Sequence, residues 1–406
     1  MSDVFPPKVL ANILSRLPVT SLLRFRSVSK PWGALIDSPH FIKLHLSHSK
    51  ESNNSTTIIL RDSYLYSVQF DSLDNATELS HPLKSTQVGT EVLGSCNGLL
   101  CLFNTRNTNI LWSPSTRKYQ KLPATRIVGM GICQYVVYGF GFDCASDDYK
   151  VVRMVQFYGA DDDSFGSEVK VYSLNSNSWQ RIQDFPYYLR YKLCHGVLAS
   201  RALHWVVSRK PESDAENLIA AFDLGSEEYR LVPQPEYCDN GFHMNVGVLG
   251  GCICVICNYC LRNADIWVMT EYGVRKSWVK LISVAQPRDI RSLEYVRPIT
   301  YSKSGERVLL EQDHGRLLWY DLRKKIVNNV ELRGVSDFLE ANVCLGSLVQ
   351  LNDSGEIEGK KKRANKEKKK KKTNKRRKCQ NEREERLLKS APGKAGCVCL
   401  LDAHHS

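Results

Sequence analysis

Nothing in this 406-residue sequence reads as a membrane span or a secretion leader. No uninterrupted apolar run reaches the roughly 18 residues that a bilayer crossing needs. The opening MSDVFPPK breaks any apolar leader core with Ser2, Asp3, Pro6, Pro7 and Lys8. A protein that is neither secreted nor membrane-spanning is expected. Recognisable catalytic and metal spacings are also scarce. His195, His204 and His243 stand beside no evident nucleophile or second ligand, so they read as structural or surface histidines. Asp161, Asp162 and Asp163 lack the glycine turn and distal glutamate of a calcium loop and read as a solvated acidic loop. Gly139-Phe140-Gly141 is followed by the strand formers Val151, Val152 and Val155, so it is no nucleotide loop opening a helix.

Cysteine, by contrast, is plentiful. The 14 cysteines sit in apolar, strand-like runs, and without a leader they read as reduced thiols of the cytosol or nucleus. Cys252, Cys254, Cys257 and Cys260 come nearest to a zinc cluster. On a strand, however, Cys252 and Cys254 share one face and Cys257 takes the other, and no second pair follows at ribbon spacing. They read as core thiols, and neither a metal nor another cofactor is expected.

The net charge of +13 is local. Between Lys360 and Lys394, eighteen Lys or Arg face four Glu, so the remaining residues are within one charge of neutral. Residues 1–359 therefore carry no basic excess for holding phosphates, and nucleic acid is expected to attract only the tail, and weakly. That tail is too poor in apolar residues to fold and repels itself. Lys360, Lys361, Lys362 and Arg363, with Lys375, Arg376, Arg377 and Lys378, read as a nuclear-localisation patch; a passive solvated tail is the alternative.

The first fifty residues are helical in pattern. Val9, Ile13 and Leu17, with Leu10 and Leu14, form an i, i+4 stripe opened and closed by proline. Thr20 or Ser21 is placed to cap a second helix with Leu22, Leu23, Phe25 and Val28 facing inward. Pro31 suits the first turn of a third helix carrying Trp32, Leu35 and Ile36, and a last turn holds Phe41, Leu44 and Leu46. So small a module buries little apolar surface, and its exposed apolar positions are expected to meet a partner.

The stretch FPPKVLANILSRLPVTSLLRFRSVSKPWGALIDSPHFIKLHL resembles the F-box over residues 4–46. The resemblance implies docking of a Skp1-like adaptor and, through it, a cullin and a RING protein. It places adaptor-contacting or module-core side chains at Pro6, Val9, Ile13, Leu14, Leu17, Pro18, Leu22, Leu23, Val28 and Trp32. Gly33 departs from the bulkier residue common there, and slight weakening of the third helix is expected.

From residue 57 the pattern turns to β-branched and aromatic runs punctuated by Asn-Gly and Gly-Gly pairs. Six segments share an apolar strand with an aromatic marker followed by a polar turn. The markers are Phe70, Trp112, Tyr172, Phe222, Trp267 and Tyr320, 42 to 60 residues apart. With a second hairpin before most of them, this makes about four strands per unit, the layout of a kelch-like β-propeller; two irregular packed sheets are the alternative.

The pieces GSCNGLLCL, LWSPSTRKYQKLP, YGFGFDCASDDYKVVRM, EVKVYSLNSNSWQRI, AAFDLGSEEYRLVP and DIWVMTEYGVRKSWVKL are similar to the plant F-box-associated interaction domain, over most of residues 90–351. Ser113 stands where that family commonly has Asn. Ser200-Arg201 replaces its Asn-Gly turn, so a different turn type is expected there.

The resemblance thus implies an F-box at 1–46, a linker at 47–56, a β-propeller-like substrate domain at 57–354 and a disordered basic tail at 355–406. It implies a non-catalytic receptor that presents a protein substrate for ubiquitination, in nucleus and cytoplasm. Within that family the chain resembles the constitutive-expresser-of-pathogenesis-related-genes type, and this resemblance implies an intracellular immune receptor as substrate. Its rivals are a kelch-type propeller enzyme, for which the sequence offers no converging polar cluster, and a scaffold outside any ligase.

Overall fold

Prolines set the registers of the N-terminal helices. Helix α1 (Pro7–Leu14) starts on its own proline, and α2 (Val19–Phe25) starts directly after Pro18 with no side-chain cap, so Thr20 and Ser21 lie inside the helix rather than capping it. In α3 (Lys30–Ile36) the Ser29 hydroxyl accepts from the Trp32 amide, and Gly33 fits closely: a Cβ there would stand 3.1 Å from the Arg26 carbonyl oxygen. Helix α4 (Pro39–Ser52) runs on into the segment expected to be a linker, as far as Ser52. It does so because its later turns have work to do. His45 and Ser49 are buried, and His48 Nδ1 lies 3.0 Å from Ser15 Oγ, tying α4 to the end of α1.

This computed structural model describes residues 6–351 except 53–55, 86–88, 105–107, 129–131, 160–163, 192–193, 213–215, 238–240, 260–261, 286–294, 314 and 336–337. Met1–Asn352 form one compact unit, and the basic tail, including all eight residues of the expected nuclear patch, lies outside the described residues.

Beyond these helices and a 3-10 turn at Arg275–Ser277, the regular structure of the described residues is β, in six antiparallel sheets. The first takes β1 (Thr56–Arg61), β2 (Leu65–Gln69) and β3 (Ala76–Glu78). The second is β4 (Thr90–Cys96), β5 (Leu99–Asn104), β6 (Thr108–Trp112) and β7 (Tyr119–Lys121). The third is β8 (Cys133–Asp143), β9 (Asp148–Tyr158), β10 (Phe165–Ser173) and β11 (Ser178–Arg181). In the fourth, the short β12 (Tyr188–Leu189) and β13 (Val197–Ala199) both pair with β14 (Ala202–Ser208), followed by β15 (Leu218–Asp223) and β16 (Tyr229–Leu231). The fifth is β17 (His243–Leu249), β18 (Cys252–Tyr259), β19 (Asn263–Met269) and β20 (Trp278–Ala285). The sixth is β21 (Val296–Tyr301), β22 (Arg307–Gln312), β23 (Arg316–Asp321) and β24 (Val327–Asn329). Finally β25 (Glu340–Leu345) returns to pair with β1, giving the first sheet its innermost strand.

The innermost strands touch in cyclic order, β25 to β4, β8, β13, β17, β21 and back to β25, so the sheets are the blades of a closed six-bladed propeller. One buried cluster lies between each neighbouring pair of blades. The second strand of a blade faces a cluster on both sides. That is why β9, β14 and β18 are buried almost without a break rather than in alternation. The aromatic markers occupy the third strand of each blade or its end, as in Trp112 on β6 and Tyr320 on β23.

The polar turn after each marker has one geometry in four blades. Ser113, Ser173, Asp223 and Asp321 each accept at least one backbone N–H from the next turn residues, and Arg117, Asn177, Glu227 and Lys325 follow at positive φ. Ser113 thus caps its turn with its hydroxyl. At the β13–β14 hairpin, Ser200 and Arg201 have φ of 47° and 67°, the left-handed pair of a type I′ turn. The expectation of a different turn type is overturned: the register Ala199↔Ala202 leaves room for only two residues, and that geometry demands positive φ at both.

Candidate docking surfaces

Each inner strand starts at one face of the propeller and ends at the other, where the first hairpin of the blade turns. The helical module sits on the hairpin face. Lys43 Nζ on α4 lies 2.7 Å from Asp147 Oδ2 of the β8–β9 hairpin. Ile42 and Leu46 pack on the cluster between the second and third blades. Leu348, just after β25, enters the module's own core with Leu14, Val19, Leu22, Ile36 and Phe41, and Gln350 Nε2 reaches Asp37 Oδ1 at 3.3 Å. Gly98 lets this segment pass: a Cβ there would stand 2.3 Å from the Ser347 side chain.

The ten module positions singled out in the sequence separate into three groups. Leu14 and Leu22 are buried, at 3% and 0% exposure, and belong to the core rather than to a docking surface; on α1 the stripe of Val9 and Ile13 with Leu10 and Leu14 has two apolar sides. Leu17, Leu23 and Trp32 are half-buried around that core, with Trp32 edge-on to Phe25. Pro6, Val9, Ile13, Pro18 and Val28 are exposed. Val9 and Ile13 are one helical turn apart on α1, so they share an outward face while Leu10 and Leu14 face in. Val9 and Ile13 thus leave an outward aliphatic face on a module whose core is already filled.

Of the histidines, His204 is buried with Nδ1 3.2 Å from the Val197 carbonyl and Nε2 2.7 Å from the Tyr272 hydroxyl, and burial holds its pKa down at about 4. The Nδ1 of His195 accepts from the Tyr138 amide, and its Nε2 lies 3.9 Å from Glu91, whose carboxyl it holds below the usual range. His243 is exposed at the start of β17. Cys254 packs between the fifth and sixth blades and Cys257 between the fourth and fifth, on opposite faces of β18; burial pushes the Cys257 thiol up to about 12. Cys260 and the Asp161–Asp163 run lie outside the described residues. Gly139 and Gly141 are packing residues of β8, where a Cβ would press on Leu203 and on Leu198 and Leu224.

The sequence reading missed a set of polar clamps. Gln156 on β9 binds the backbone of Tyr187 and Leu189, and Asn258 on β18 accepts from the Val296 amide. Glu311 on β22 accepts from the Ala341 amide at 3.0 Å, while Arg297 on β21 bridges Glu311 and the Ala341 carbonyl, each at 2.6 Å. In each case the second strand of one blade, helped in the last case by the first, grips the inner edge of the next, and the Arg297–Glu311 pair fastens the closing strand β25. These polar residues sit at separate blade junctions, where they bind the backbone of the neighbouring blade.

On the face away from the helical module, residues 125–128 are held by charged side chains, two of them buried. Glu168, 1% exposed, accepts from the Val128 amide at 2.7 Å; Arg153, 5% exposed, donates to the carbonyls of Thr125 and Arg126; and Lys170 donates to that of Arg126. The side chains this loop holds out are Ile127 and Val128.

Comparisons with known proteins agree with this architecture. The F-box domain profile matches residues 3–44, and the F-box associated beta propeller domain profile matches residues 56–351. The chain is 41% identical to F-box protein CPR1 of Arabidopsis thaliana, over 88% of this chain and 91% of that protein. It is 31% identical to the F-box/kelch-repeat protein At3g23880 of the same plant, over 86% of this chain and 96% of that one. An oligogalacturonate lyase from Vibrio parahaemolyticus, at 9% identity and TM-score 0.40, covers 68% of this chain and 79% of its own, a likeness too slight to bear on function.

Proposed function

Because the chain belongs to the F-box proteins that carry an F-box-associated β-propeller, we propose that it is the substrate-recognition subunit of a Skp1–cullin–F-box ubiquitin ligase. The observation that carries the proposal is the outward aliphatic face of α1, with Val9 43% and Ile13 49% exposed on a module whose interior is complete. A Skp1-like adaptor covers that face and brings a cullin and a RING protein. The propeller holds the substrate, and transfer of ubiquitin is accelerated by proximity alone, with no chemistry on this chain.

Co-expression with a Skp1-like adaptor tests this. The full chain is expected to co-elute with the adaptor on gel filtration and to recruit a cullin–RING pair, whereas a chain that elutes alone at micromolar concentration contradicts the assignment. The substrate class we carry forward is an intracellular immune receptor, whose lifetime lengthens when the chain is removed. Equal receptor turnover with and without the chain rejects that class.

For the tail, we propose nuclear import. Residues 356–394 fused to a large inert reporter are expected to carry it into the nucleus, and changing Lys375, Arg376, Arg377 and Lys378 to Ala to weaken entry. A fusion that stays cytoplasmic leaves the tail a solvated appendage.

A further inference from the structure

The inner strands start on the face turned away from the F-box, and charged side chains from several blades meet there at the mouth of the central channel. The chain entering β13 runs along the inner edge of β8, where Gly196 bridges Gly139 in parallel and its amide donates to the Tyr138 carbonyl at 2.6 Å. β13 also touches β4, so the fourth blade reaches across to the second. His195, just before β13, places Nε2 3.9 Å from Oε2 of Glu91 on β4, and Arg61 at the end of β1 pairs at 3.2 Å with Glu340, which opens β25. Two electrostatic effects tie these groups together. The His195 ring lowers the Glu91 carboxyl against the opposing effect of burial, and the Arg61 guanidinium lowers it further. Burial pushes the Cys194 thiol up to about 11, with the Glu340 carboxylate adding to the rise and the Arg297 guanidinium opposing it. The mouth therefore gathers charges from the first, second, fourth and sixth blades.

Those charges are unevenly matched. Glu340 has the guanidinium of Arg61 at 3.2 Å and Glu311 that of Arg297 at 2.6 Å, whereas Glu91 forms no pair with Lys or Arg among the described residues. Its one partner is the His195 ring, beyond hydrogen-bond reach. The Tyr138 amide donates to His195 Nδ1, which leaves the neutral ring its proton on Nε2, so a dipole rather than a full charge then stands beside Glu91. A carboxylate drawn partly out of water without a cation is costly, and this one keeps 36% of its side chain open to a cation from outside. A divalent metal ion does not fit. It needs several oxygen ligands, and among the described residues no three carboxylate, imidazole or thiol groups stand close enough together to hold one. What fits is a single organic cation, on the propeller face where a bound segment does not collide with the F-box.

We propose that Glu91, at the channel mouth, receives a lysine or arginine side chain carried on a short segment of the ubiquitination substrate. The proposal rests on the substrate-receptor reading above, and its test separates the two. A random dodecapeptide phage library is panned on the full chain in complex with its adaptor. Enriched peptides are expected to share one Lys or Arg and to bind roughly tenfold or more weakly when norleucine replaces it. The same loss is expected on Glu91→Gln, an isosteric change that leaves the urea midpoint and adaptor binding as they are. Panning on Glu91→Lys is expected to return an acidic residue at that place in the consensus. Three outcomes overturn the assignment: no enrichment, a consensus without a basic residue, or equal binding to Glu91→Gln. Displacement of the enriched peptides by micromolar free arginine or spermidine also overturns it, by giving the mouth to a small cation. A wild-type chain that binds no adaptor sinks the receptor reading instead.

Discussion

His204 is fully buried yet carries a titratable ring, and the Tyr272 hydroxyl and Val197 carbonyl on its two nitrogens suit the neutral form. Burial lowers its pKa to about 4, and that of His81 likewise to about 4. A base whose folded pKa lies below its unfolded value of about 6.5 takes up its proton first in the unfolded chain. Stability is therefore intact above pH 6.5 and falls as pH drops from 6.5 towards 4, by about 1.4 kcal/mol per pH unit for each such histidine. Urea midpoints measured from pH 7 to pH 5 are expected to show this slope, reduced by one histidine's share in His204→Asn; an unchanged slope would place the ring's proton elsewhere. Chemical type and spacing argued correctly that His204 is structural. Its partners, a strand neighbour and a tyrosine 68 residues away, become visible only with the blades assembled.

At the scale of single elements, the hairpin between β13 and β14 holds two ordinary residues in a conformation that costs each roughly 1 kcal/mol. Ser200→Asn with Arg201→Gly is expected to raise unfolding stability by about 1 kcal/mol, read as a higher urea midpoint with unchanged adaptor binding. A lower midpoint would show that the Arg201 side chain contributes a contact worth more than the strain. The blades themselves were legible in sequence because the aromatic marker and the polar turn are local signals: Trp112-Ser113 and Phe222-Asp223 announce a strand end and its turn within six residues. The extent of α4 was not. The sequence from Ser47 to Ser52 is polar, and the helix persists there because His45 and Ser49 pack inward and Ser15 meets His48. Periodicity marked Leu14 and Leu22 as apolar without separating module core from outward face; the packing puts both in the core.

Over the whole molecule, the N-terminal module and the end of the propeller complete each other. Leu348 follows the closing strand β25 directly, so the strand that shuts the ring also delivers a core side chain to the F-box. Leu348→Asp puts a charge into that core and is expected to weaken adaptor binding roughly tenfold or more, although it lies about 300 residues from the helices it disturbs. Wild-type affinity in that variant would show that the module folds without its last contributor. The arrangement holds the outward face of α1 and the far propeller face within one compact unit.

That account depends most on the outward face of α1. The direct measurement is the calorimetric affinity of a purified Skp1-like adaptor for the full chain and for Val9→Asp with Ile13→Asp, with urea unfolding of both run alongside. The prediction is tight one-to-one binding by the wild type and a loss of roughly a hundredfold or more in the variant, at an unchanged unfolding midpoint, because both side chains are exposed in the free protein. Wild-type affinity in a folded double variant would contradict the account.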